Sequence, residues 1–214
     1  MRTGMILLVF SCLLLSGCQS AYYGAMEKLG FQKREILTGR VEKARDAQQE
    51  AGEQFRSALD RFREVVNVEG GELEEKYETL RATFERSEAR ADEVRKRIDA
   101  VEKVADALFE EWEEELGQYR DRSLRAESRR TLDETRRLYR ELIRTMRQAE
   151  GRMDPVLAAF RDQVLFLKHN LNARAVASLR PELGRIEADV ERLVREMEAA
   201  IREADAFIRR LEAA

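Results

Sequence analysis

The stretch LEEKYETLRATFERSEARADEVRKRIDAVEKVADALFEEW, Leu73 to Trp112, decides the fold. Its apolar positions, Leu73, Tyr77, Leu80, Phe84, Ser87, Ala91, Val94, Ile98, Val101, Ala105, Leu108 and Trp112, advance by alternating steps of three and four. That spacing draws one stripe along a helix and requires a partner helix to bury it. The same spacing recurs upstream through Leu37, Val41, Ala44, Gln48, Ala51, Phe55, Ala58, Phe62 and Val65. Downstream it runs through Thr135, Tyr139, Leu142, Met146, Ala149, Met153, Val156, Phe160, Gln163 and Leu167. A fourth series is Val176, Leu179, Leu183, Ile186, Val190, Leu193, Met197, Ala200, Ala204, Phe207 and Leu211. Four seams of similar length predict an all-α fold: long antiparallel helices forming a coiled-coil-like four-helix bundle over residues 37–214.

Breaks between the seams set the connections. Gly70-Gly71 interrupts the first and second, because glycine is costly inside a helix. Residues 117–123 separate the second from the third. Around His169-Asn170-Leu171-Asn172 the asparagines supply a helix end and an N-cap for the fourth. Connections this short make consecutive helices antiparallel neighbours. Pro155 and Pro181 fall inside seams that keep phase across them, so Pro155 is expected to kink its helix rather than open a new domain; Pro181 either bends its helix or marks its start. Charge agrees with a fold-back near residue 120: Glu102 to Glu115 holds seven acids and one base, whereas Arg120 to Arg147 holds ten arginines and five acids. Exposed pairs contribute only about 0.2–1 kcal/mol each, so this pattern selects register more than it stabilises. Arg120, Arg122 and Arg125 have a second reading, contact with lipid headgroups.

Composition excludes several classes. The 214 residues contain 39 Lys+Arg against 42 Asp+Glu, a net charge of −3, which lacks the basic surplus of a nucleic-acid binder. Two prolines and 11 glycines are too few for a loop-rich or all-β chain. One histidine, His169, is too few for a di-iron bundle and has no supporting motif for a catalytic triad, and no phosphate loop, dinucleotide fingerprint or zinc spacing occurs. The expectation is a protein that is not an enzyme and uses neither cofactor nor metal. Gln48, Ser87 and Gln163 are polar residues at seam positions, read as fixing register.

The first residues form an address. Arg2, an apolar run from Met5 to Leu15, and small residues before Cys18 describe a secretory signal over residues 1–17, too short to span a bilayer. Leu15-Ser16-Gly17-Cys18 resembles the bacterial lipobox, which implies acylation of Cys18 and cleavage before it. Several acyl chains hold firmly, at about 0.8 kcal/mol per buried methylene. Gln19 follows, and by resemblance to Gram-negative sorting rules it points to the outer membrane. Residues 18–36 read as a lipidated tether whose Tyr22, Tyr23, Met26, Leu29 and Phe31 suit a lipid interface or the end of the bundle.

At Tyr22-Tyr23-Gly24-Ala25-Met26-Glu27-Lys28, at VEKARDAQQEAGEQFRSALDRF (Val41 to Phe62), at Phe109-Glu110-Glu111-Trp112-Glu113 and at Phe166-Leu167-Lys168-His169-Asn170-Leu171-Asn172-Ala173, the sequence resembles a family of uncharacterised bacterial lipoproteins classed as a domain of unknown function. The resemblance implies a helical, envelope-attached protein and assigns no catalytic residue. The expected role is structural, spacer or protein-interaction, with the membrane engaged through the N-terminal lipid and an envelope protein or a second copy as partner. Gly70, Gly71, His169, Asn170 and Asn172, at the turns farthest from the anchor, are the candidate partner-binding residues. The alternative is a helical module that shelters a lipid or other apolar ligand.

Overall fold

A computed structural model describes residues 33–68 and 72–213. The expected signal peptide, Cys18, most of the expected tether, and Gly70 and Gly71 lie outside the described residues. Four helices account for nearly all of the rest: α1 Lys33–Val66, α2 Leu73–Leu116, α3 Arg122–His169 and α4 Ala173–Ala213. Their 34, 44, 48 and 41 residues correspond to rods of about 50 to 70 Å. α1 starts at Lys33, inside the stretch expected to be tether.

Each helix packs on two neighbours in cyclic order, α1 on α2, α2 on α3, α3 on α4 and α4 back on α1. Ion pairs give the directions. Along α1, Arg45 meets Asp205, Arg56 meets Glu198 and Arg63 meets Glu187, so α4 descends as α1 rises. Lys33 meets Glu111 and Lys76 meets Glu64, so α2 is also antiparallel to α1. The chain therefore closes on itself as an up-down-up-down bundle.

The seams form one continuous core. Every residue of the first seam is buried, with Leu37, Phe55 and Phe62 at 0% exposure. Ala44, Ala51 and Ala58 are also fully buried, as small residues must be where helix axes approach closely. Phe62 and Phe160 meet edge to face at 6.1 Å across the diagonal between α1 and α3. The third seam needs one correction: Gln163 is partly exposed, and Val164 is buried in its place. The local step is therefore four then three, Phe160 to Val164 to Leu167. Leu132, which the seam omitted, is fully buried as well.

Both prolines lie inside uninterrupted helices. Gly151 stands four residues before Pro155, where the ring crowds the preceding turn and removes the donor for that carbonyl. With no side chain and nothing within 4 Å of a would-be Cβ, Gly151 leaves that turn room to adjust. Pro181 sits two turns into α4, so the helix begins before it.

Candidate functional site

The flanks of the bundle are closed by charge. Between α2 and α3, Arg147 contacts Asp99, Glu102 and Glu150, Arg136 contacts Glu113, and Arg161 contacts Glu88. The acidic end of α2 thus lies against the basic half of α3, as the charge pattern predicts. The carboxylates around Arg147 push its already high pKa further up, chiefly through the hydrogen bond to Glu102, and Arg136 holds the Glu113 carboxyl below its ordinary range. The α1–α2 surface groove is lined by Lys43, Asp46, Glu50, Arg86, Arg90 and Arg97. It is a solvated furrow rather than an apolar chamber.

Polar groups at the core are few. Ser87 donates to the Thr83 carbonyl and accepts from Gln54 Nε2, which also donates to that carbonyl at 3.1 Å. These bonds tie α1 to α2 at one register. Gln48 is fully buried; its Nε2 donates to the Met146 carbonyl at 3.5 Å, and its Oε1 has no donor. Among the described residues, no group of three or more His, Cys, Asp or Glu comes together to hold a metal ion, and no helix is long and apolar enough to cross a membrane.

The ends differ from the flanks. The large apolar side chains that stand exposed among the described residues are Tyr119, Leu124, Leu165, Phe166 and Leu171, and all five lie at or next to a turn between helices. Leu165, Phe166 and Leu171 surround the α3–α4 turn, farthest from the N-terminal segment. Here the predicted residues divide. Asn170 closes α3, its Nδ2 donating to the Phe166 carbonyl at 2.9 Å, and Asn172 Oδ1 accepts from the Ala175 N–H at 3.0 Å as the N-cap of α4. Their roles are in the turn's backbone, while His169 is exposed. The apolar surface comes from Leu165, Phe166 and Leu171, which are not among the residues expected to bind a partner. Leu165 and Phe166 stand between the buried Val164 and Leu167, and an apolar pair off the stripe was the available signal.

At the opposite end, Asp121 caps α3 by accepting from the Ser123 and Leu124 N–H groups at 2.7 and 3.2 Å. The hydrogen bond from the Ser123 hydroxyl, followed by those from the Leu124 and Ser123 backbone, holds its carboxyl below the ordinary range. From Arg122 to Thr131 α3 has no buried residue. Trp112 Nε1 donates to Ser128 Oγ at 2.9 Å, the Arg34 guanidinium lies 5.4 Å from the indole ring centre, and Leu132 is the first α3 residue in the core.

A family model described as a protein of unknown function (DUF2959) matches residues 22–211. No curated protein and no solved structure matches the chain.

Proposed function

The chain belongs to the DUF2959 family of unknown function, and from that premise we propose that it is a lipoprotein, held by acylated Cys18 in the outer membrane of a two-membrane cell and facing the periplasm. The bundle serves as a spacer that meets an envelope protein, or a second copy of itself, through its far end. One observation supports this reading most: the exposed large apolar groups gather at the ends, whereas the flanks are laced with ion pairs. A surface that excludes partners along its length and offers apolar contacts at its tips suits end-on attachment. If α1 rises from the anchor, the α3–α4 turn stands on the order of 60 Å from the membrane. The alternative, an apolar-ligand carrier, would require an enclosed apolar chamber; the α1–α2 groove is lined mainly by charged side chains, and the α1–α4 groove mixes Leu59, Val190 and Val194 with Arg56, Arg63 and Glu198. In this reading the protein is not an enzyme and needs no cofactor or metal.

The test is the intact mass of the protein purified from its own envelope. Cleavage before Cys18 with added acyl chains is the expected result, with Cys18→Ala leaving the membrane fraction. A soluble, unmodified exported chain would overturn the proposal.

A further inference from the structure

The start of α3 is unlike the rest of the bundle. Arg122 to Thr131 includes no buried residue, and Leu124 at its first turn is 58% exposed beside Tyr119 at 41%. Farther along the same helix Arg136, Arg147, Arg152 and Arg161 each pair with an acid of a neighbouring helix. Arg120, Arg122 and Arg125 make no such pair with any described residue. Nearby acids are mostly engaged: Asp121 caps the helix, Glu127 pairs with Arg130, Glu113 with Arg136 and Glu111 with Lys33. Glu110, Glu114 and Glu115 are exposed on the last turns of α2; beyond them, residues 118–125 hold three arginines and a single acid, Asp121. This apex is also at the end where α1 begins. About 15 residues separate Lys33 from Cys18, a reach of at most about 50 Å.

We propose that the α2–α3 turn is a membrane foot: Arg120, Arg122 and Arg125 bind the phosphates of anionic phospholipids while Tyr119 and Leu124 enter the headgroup layer. Arginine pairs with phosphate through its planar fork, and an aromatic ring beside an aliphatic side chain suits the interface between water and acyl chains. A bundle held by a tether alone would swing about it; a foot beside the tether sets the rod upright and turns the α3–α4 end outward. This deepens the anchored-lipoprotein reading and rests on it for the membrane that is met, but its chemistry is separable from acylation.

The four helices complete their own core, so the helical domain (residues 33–214) can be tested without Cys18. Its partition onto vesicles of phosphatidylcholine with one-third phosphatidylglycerol is measured by co-sedimentation at low salt, with pure phosphatidylcholine as the comparison. Binding to the anionic vesicles only is expected, falling at least fivefold in the Arg120→Gln/Arg122→Gln/Arg125→Gln triple and in Tyr119→Ala/Leu124→Ser, with helix content by circular dichroism unchanged. A triple that removes as many charges from the distal end, Lys168→Gln/Arg174→Gln/Arg180→Gln, is expected to bind like the unaltered domain. Equal binding to both vesicle types, no binding at all, or an equal loss in the distal triple would overturn the foot. Such a failure would leave the mass measurement on Cys18 standing, and the reverse also holds.

Discussion

The Gln48 side chain sits in the apolar seam of α1 with its amide nitrogen on the Met146 carbonyl and its oxygen without a donor. An unsatisfied buried acceptor costs about 1–3 kcal/mol, and the bond it keeps is long. Gln48→Leu is therefore expected to raise stability by about 1 kcal/mol in urea unfolding; a loss of that size would mean that the amide makes up its cost in register. Tyr139 makes a pH-dependent contribution. Burial, aided by Asp106 and Glu102, raises its phenol pKa well above the ordinary tyrosine value of 10.0. The folded state thus favours the neutral ring: its contribution is complete below pH 10 and declines above it, as the unfolded chain ionises first. Tyr139→Phe is expected to flatten this alkaline fall, and an unchanged slope in pH-dependent melts would contradict the assignment. Such details were only partly legible in sequence. Gln48 and Ser87 read as seam positions, but that Ser87 is satisfied by Thr83 and by Gln54 of α1, and Gln48 only half-satisfied by the Met146 carbonyl of α3, depends on which helices lie alongside. Gln163 was misplaced because a 3,4 series can continue as four then three, and only the helix's rotation against its neighbours decides.

At the scale of elements, spacing is enough to find the helices, because a stripe sustained through nine or more seam positions has few other ways to be buried. Phase across Pro155 is a reliable guide to continuity: the carbonyl that loses its donor there belongs to the exposed Gly151, and the apolar face on the other side remains packed. Phe160, just over one turn beyond, meets Phe62 in the core toward the far ends of α1 and α3. Phe160→Ala should cost about 3–5 kcal/mol of unfolding free energy; a cost below about 1 kcal/mol would show that this layer is not packed as described. The exposed start of α3 could not be read from its own residues. Whether a turn of helix is covered depends on where the neighbouring helices end, and a single helix's sequence does not contain that. The caps were easier, since Asn172 and its following helix obey a local rule.

At the scale of the molecule, four seams of similar length leave open whether each is satisfied within one chain or by another copy. The α4–α1 contact closes the ring inside the chain, so each of the four seams packs on neighbouring helices of the same chain among the described residues. The proposed end-on role requires that the ends be the surfaces used. The most direct measurement is site-specific photo-crosslinking in intact cells, with the photoreactive residue at Phe166 or Leu171 on the far end and, as comparison, at Arg195 on the exposed flank of α4. Protein adducts from the far end and none from the flank are expected, with the far-end adducts lost in Cys18→Ala. Adducts of equal yield from the flank, or none from Phe166 and Leu171, would contradict an end-on role.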